Sequence, residues 1–358
     1  MASLQHTVYI SGYVSADQPG VHAFTFDATN GMLTSRGSYA GIAAPSFLIA
    51  HPNGRWLYAV SETSQQDGQP GAVWALGVSS SESWGIEPLN HQASGGDWPC
   101  HLAIDATGRW LIASNYASGS VSVLPILDDG SLGAMTDLIQ HRGSGPHPER
   151  QEGPHAHSAT FTPDQRFVIV ADLGIDALRV YAFDSKAGTL REQTTTATRP
   201  GAGPRHLAFH PDGKHVFASN ELNNTVAVYS YDAASGTLSE QQIIETLPPD
   251  APENTVADIH VSPTGDRVYV SNRGHDSIAI FQIGSDGQLT PVAIRSCGGR
   301  CPRNFAIEPG NHFLLVANQE SSEVVVLPVQ DAPTAVGTTI ARVTVRGASC
   351  VQFALSNS

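Results

Sequence analysis

The sequence predicts an all-β fold: a seven-bladed β-propeller with four antiparallel strands per blade, closed by N- and C-terminal strands sharing one blade. Three observations predict it. Charged residues make up only 15% of the 358 residues, whereas Gly (34) and Pro (23) are plentiful, a balance that suits short strands joined by tight turns. An apolar triplet followed by a turn such as HPNG recurs at intervals of 46 to 57 residues, the period of a propeller blade. Two halves of a further unit stand at opposite ends of the chain.

The repeat reads FLIAHPNGRWLYAVSE (47–62), LAIDATGRWLIASNY (102–116), ATFTPDQRFVIVADL (159–173), LAFHPDGKHVFASNE (207–221), IHVSPTGDRVYVSNR (259–273) and FAIEPGNHFLLVANQ (305–319). Each copy gives a first strand, a turn and a second strand. A third strand follows, as in SVSVLPI (120–126), TVAVYSY (225–231) and SIAIFQI (277–283), and then a turn such as DDGSL and a short outer segment. The N-terminal TVYISGY (7–13) matches the second strand and the C-terminal SCVQFALS (349–356) the first. Pairing them completes the seventh blade and leaves no open sheet edge. One domain over residues 1–358 is expected, almost without helix.

The formal net charge of −14 argues against nucleic acid and anionic membrane surfaces as partners. The N-terminus MASLQHTVYISGYV has no basic region or long apolar core, so a cytoplasmic protein with reduced thiols is expected. CGGRC (297–301) has no second Cys/His pair at ligand spacing and reads as an ordinary loop. Nothing in the sequence bears on oligomeric state.

In a propeller the first strand lies nearest the axis and the second runs back beside it. The start of the first and the end of the second therefore meet at one mouth of the central channel. First-strand starts are Ser46, Cys100, His157, Arg205, Asp258 (to within one residue), Arg303 and Cys350; second-strand ends are Tyr13, Glu62, Tyr116, Leu173, Glu221, Arg273 and Gln319. Arginines, carboxylates and a histidine converging on one concavity suggest a binding or catalytic site, against the alternative of a solvated, self-neutralising ring of ion pairs. His155 and His157, two residues apart, are expected on one strand face. Such a pair can hold a metal, but no further ligand stands nearby, which leaves acid–base or orienting roles. His51 and His210 open turns and read as turn caps. No Gly-rich phosphate loop and no GxSxG elbow are present, so no nucleotide cofactor is expected.

AGPRHLAFHPDG, NELNNTVAVY, ADIHVSPTGDRVYVSNRGHDSIAIF and GPHAHSATFTPD resemble the seven-bladed propeller lactonases, a family that includes bacterial 6-phosphogluconolactonases and fungal carboxymuconate cyclase. The resemblance spans essentially the whole chain. It implies a functional set of one histidine, one glutamate and two arginines, falling on His157, Glu221, Arg205 and Arg273. It also implies a small-molecule sugar lactone as substrate and a place in carbohydrate metabolism such as the pentose phosphate pathway.

The expected reaction is metal-free hydrolysis of 6-phosphoglucono-1,5-lactone. Arg205 and Arg273 would grip the substrate anion or polarise its carbonyl. His157 would be the base, with Glu221 as its orienter. His155, Arg303, Asn115, Tyr116, Asp258 and Glu62 would complete the substrate-binding wall. The long stretch HRGSGPHPERQEGPH (141–155) would overhang the mouth and tune specificity. An aldaric-acid lactonase, a carboxymuconate cycloisomerase and a protein-binding scaffold remain the alternatives.

Overall fold

The computed structural model describes residues 4–79, 85–330 and 336–354. The expectation of no export signal rests partly on residues 1–3, and the expected strand 349–356 ends partly in residues 355–356; both stretches lie outside the described residues.

Period-two apolar patterning and turn chemistry give seven four-stranded antiparallel sheets. In chain order six blades occupy 48–93, 99–140, 156–197, 204–245, 255–296 and 302–344. The seventh joins Ala348–Phe353 to Gln5–Gly12, Pro19–Asp27 and Met32–Ala40. Its two ends of chain pair in antiparallel register, with Ile10 opposite Val351, as the sequence predicts. The innermost strands touch one another in sequence order around a closed ring. Among the described residues the only helical element is the 3-10 turn Gln65–Asp67, and no helix is long and apolar enough to cross a membrane.

Burial follows position in the blade. Second strands are buried on both faces, as in Phe167–Asp172, because each is sandwiched between neighbouring blades. Outer strands such as Thr189–Ala197 alternate buried and exposed residues, as expected for one solvated face. The core is therefore a set of blade-to-blade layers. One packs Phe217, Val226 and Val228 of the fourth blade on Val256, Val268 and Phe281 of the fifth. The turns after the first strands are capped by their own first side chains. His51 and His210 accept the amides of Asn53 and Asp212 through Nδ1, Ser262 accepts those of Asp266 and Arg267, and Glu308 accepts those of Gly310 and His312.

Innermost strands carry a bulge of one residue at the mouth. Register skips between Pro99 and His101, Ala156 and Ser158, Pro204 and His206, and Pro302 and Asn304. The skipped residues are Cys100, His157, Arg205 and Arg303. A bulge re-aims its side chain without ending the ladder, which is how these four come to face the channel mouth.

Replacing Phe217, fully buried between two blades, by alanine is expected to cost about 3–5 kcal/mol of stability. Urea denaturation checks this; a cost below about 1 kcal/mol would mean that the layer collapses onto the vacancy.

Candidate active site

At the mouth a cavity of about 250 Å³ is lined by Glu62, Trp98, Cys100, Tyr116, Arg150, His157, Glu221, Thr255, Arg273 and Arg303. Seven of these are bulge residues or second-strand ends, so the repeat geometry brings them together.

Glu221 is the centre of charge. Its carboxylate is 4% exposed and meets three arginines: Arg205 Nε at 2.9 Å and Arg273 Nη2 at 3.0 Å on Oε2, and Arg150 Nη2 at 2.6 Å on Oε1. Burial alone would push its pKa up, but Arg273, Arg205 and Arg150 hold it well below the usual carboxylate range. Glu221 stays ionised and is fully engaged.

The four arginines differ. Arg205 is 2% exposed, lies beneath Glu221, and donates from Nη1 to His206 Nε2 at 3.2 Å. Burial and the neighbouring Arg273 push it down to about 10. It does not line the cavity, so the expectation that Arg205 grips substrate is corrected: its Nε and Nη1 are turned to Glu221 and His206 below the surface. Arg273 reaches the cavity and donates to Val256 O. Arg303 lies over the Tyr13 ring, 5.0 Å from its centroid, and among the described residues has no carboxylate at ion-pair distance. Arg150, a half-buried residue of the long loop, also donates to Tyr116 Oη at 3.2 Å.

His157 lies at the cavity floor, with Nδ1 3.9 Å from Cys100 Sγ and its ring edge-on to Tyr116. Burial first, then Arg205, His206, Arg303 and Arg273, hold its pKa well below 6.5. It is a neutral imidazole near neutral pH. Glu62 accepts from Tyr13 Oη at 2.6 Å and from Ser46 Oγ.

Four further expectations need correction. Asn115 is fully buried, and its amide donates to Ser94 O and Ser120 Oγ, so it braces the blade outside the cavity. Asp258 lies one residue deeper than the mouth, because the bulge of its strand falls at Val256–Ile259. There it accepts from His206 Nδ1 (2.7 Å), His260 Nε2 (2.9 Å) and Asn304 Nδ2 (2.5 Å) and faces the other end of the channel. Cys350 is likewise one residue deep, opposite Ser11, and the bulged position is Ser349. His155 does not share a face with His157. It precedes the strand, stacks on Tyr116 at 4.4 Å and donates from Nδ1 to Tyr116 O.

Arg150, Trp98 and Thr255 were missed. Arg150 sits in 141–155, outside the repeat register. That loop does overhang the mouth, pinned by Gln151 to Leu173 O and Asp176 and by His141 to Asp172. His210, Asp212 and His215 bring ligand atoms within 4.8 Å of one another at the opposite end of the blade. However, His210 caps its turn through Nδ1 and donates from Nε2 to Gly265 O, the same work as His51.

Residues 7–353 match the family model described as "Lactonase, 7-bladed beta-propeller". A 6-phosphogluconolactonase of Bacillus subtilis is 36% identical over 320 residues, covering 88% of this chain and 89% of that protein. Another from Formosa agariphila is 32% identical, covering 86% and 87%. Among solved structures, the periplasmic gluconolactonase of Pseudomonas aeruginosa superposes with a TM-score of 0.90 at 29% identity, covering 98% of this chain and 99% of that one.

His101, His157 and His206 are all held neutral by burial and neighbouring charge, His206 down to about 4. The unfolded chain protonates these rings near 6.5 and the folded chain does not, so stability is full above about 6.5 and falls as pH drops toward about 4. His260 is raised by Asp258, is charged in both states in that window, and does not offset the loss. Unfolding free energies from urea titrations are expected to fall between pH 6.5 and 4.5, approaching a slope of about two to three protons taken up per molecule unfolded. A flat profile would contradict neutral rings.

Proposed function

This chain belongs to the seven-bladed β-propeller lactonase family and is a lactone hydrolase, and we propose that it opens 6-phosphoglucono-1,5-lactone to 6-phosphogluconate in the cavity at the channel mouth. The observation that supports this most is the charge of the cavity: the guanidinium groups of Arg150, Arg273 and Arg303 line it, with Arg205 beneath, against two carboxylates, one of which, Glu221, is already saturated. Such a site favours a dianionic substrate. It also disfavours a bound cation, so the reading uses no metal.

Arg303 and Arg273 are the groups placed to hold the anionic end, since planar guanidinium donors match phosphate oxygens. Arg205 acts from below by fixing Glu221, which in turn aligns Arg273 and Arg150. His157 offers a neutral nitrogen lone pair. Burial and then the arginines around it depress its basicity, and an incoming anion offsets the arginines' share of that effect. Water then attacks the lactone carbonyl while His157 takes one proton, and the oxyanion forms beside the guanidinium groups. Collapse breaks the bond to the ring oxygen, which receives the proton from His157. The product acid loses its remaining proton to solvent. Lactone opening is an undemanding reaction, so positioning and modest acid–base help suffice.

The purified, EDTA-treated protein should be assayed on freshly generated 6-phosphoglucono-1,5-lactone, glucono-1,5-lactone, aldaric lactones and carboxymuconate, each corrected for spontaneous reaction. The phosphorylated lactone is expected to have the highest kcat/KM. A preference for glucono-1,5-lactone would overturn the assignment of phosphate to Arg303 and Arg273, in favour of the substrate named for the Pseudomonas relative.

His157→Ala is expected to lower kcat about 100-fold or more at pH 7 with folding intact. Near wild-type kcat would remove His157 from the chemistry. Arg303→Ala is expected to raise KM for the phosphorylated lactone roughly tenfold or more, with a smaller effect on glucono-1,5-lactone. Equal effects on both would place Arg303 at the carbonyl instead.

A further inference from the structure

Directly outside the catalytic cavity lies a second pocket of about 440 Å³ that shares Trp98, Tyr116 and Arg150 with it. Three aromatic rings line it. Trp98 lies nearly parallel to Tyr116 (18°) with centroids 6.5 Å apart, and Tyr116 stacks nearly parallel on His155 (13°, 4.4 Å). Trp98 is 43% exposed.

The repeat supplies an internal control for Trp98. In six blades an equivalent residue ahead of the inner strand accepts, through its carbonyl, the amide of the second-strand end: Ala44 from Glu62, Trp98 from Tyr116, His155 from Leu173, Gly203 from Glu221, Cys301 from Gln319 and Gly347 from Tyr13. Five of these six have positive φ, between 46° and 62°. In four of the five the residue is Gly, Ala or Cys, and only Trp98 is bulky. A large side chain in the left-handed region is strained. The backbone job is done equally well by glycine two blades on, so the indole is there for a purpose other than the fold.

Charge changes sign between the two pockets. The inner cavity is rich in arginine, whereas Asp97, Glu149 and Glu152 line the outer pocket against Arg150 alone. Phosphate is repelled from the outer pocket. A sugar ring fits it: the apolar C–H face of a pyranose covers an aromatic plane, and hydroxyls around its edge donate to carboxylates.

We propose that Trp98, Tyr116 and His155 form a glycosyl subsite, so that the enzyme also accepts aldonolactones carrying a second sugar ring, with the lactone in the inner cavity and the neutral sugar on the platform. This rests on the lactonase reading of the inner cavity. The substrate of this kind must come from a reaction that oxidises the reducing end of a disaccharide.

Trp98→Gly removes the platform and installs the residue that Gly203 and Gly347 supply at the same blade position. It should therefore fold with an unchanged or higher Tm. In the wild type, kcat/KM for cellobiono- or maltobiono-1,5-lactone is expected to equal or exceed that for glucono-1,5-lactone. In Trp98→Gly that ratio should fall about tenfold. Independently of turnover, cellobionate or maltobionate should change wild-type tryptophan fluorescence at lower concentration than gluconate does, and this difference should vanish in the variant. An unchanged ratio in the variant, or no advantage of the disaccharide acids over gluconate in the titration, overturns the subsite. If no lactone is opened, the reading of the inner cavity has failed, and the fluorescence titration alone decides the subsite.

Discussion

The buried charge of Glu221 is the constraint on which the mouth depends. Taking a carboxylate out of water costs several kcal/mol, which only close opposite charges and hydrogen bonds offset. Three arginines from three separate segments do so here. Arg205, itself buried, then needs an acceptor of its own. It finds one in His206 Nε2, and the tautomer that leaves this nitrogen free is set by Asp258, which takes the proton-bearing Nδ1. Asp258 is in turn held by His260 and Asn304, and Asn304 accepts the amide of Val351 in the blade that joins the chain ends. One chain of contacts thus runs from the mouth through the disk and crosses four blades. Arrangement of the site and closure of the ring are not separate problems in this molecule.

Much of this was legible in the sequence because the repeat fixes positions. Once the second strand of one blade was aligned, Glu62, Tyr116, Glu221 and Arg273 followed, and all four line the cavity. Asp258 and Cys350 went wrong for one reason: a bulge adds a residue that period-two patterning does not show, so a reading by alternation lands one step too deep. Asn115 misled differently. A polar residue at a strand end looks like a ligand contact, but here its amide serves buried groups, as the amides of Asn220 and Asn318 do in other blades. Arg150 was out of reach because its position depends on how a loop is pinned, through Gln151 and Asp172, and not on the repeat.

Burial also sorts residues that sequence treats alike. Arg205 and Arg303 occupy the same place in their strands, yet one is committed to a carboxylate and an imidazole, and the other rests on a tyrosine ring beside the open cavity. Their neighbours distinguish them: Glu221 and His206 of its own blade for Arg205, and Tyr13 of the next blade for Arg303. The same holds for the two histidines of GPHAHS. One residue before the strand puts His155 among the aromatic side chains outside, while the bulge turns His157 inward.

The bulge has a bearing on how such an enzyme changes over generations. The skipped residue stands outside the pairing ladder, while the residues on either side of it carry the hydrogen bonds and the packing. On near-identical backbones this chain places cysteine, histidine and two arginines at that point in four blades. A substitution at Cys100, His157 or Arg303, which line the cavity, alters what the mouth recognises without touching the ladder, whereas one at the buried Arg205 also disturbs Glu221. Lineages can therefore drift from one lactone to another by single replacements around the rim, with the scaffold acting as a socket into which different chemistries are fitted.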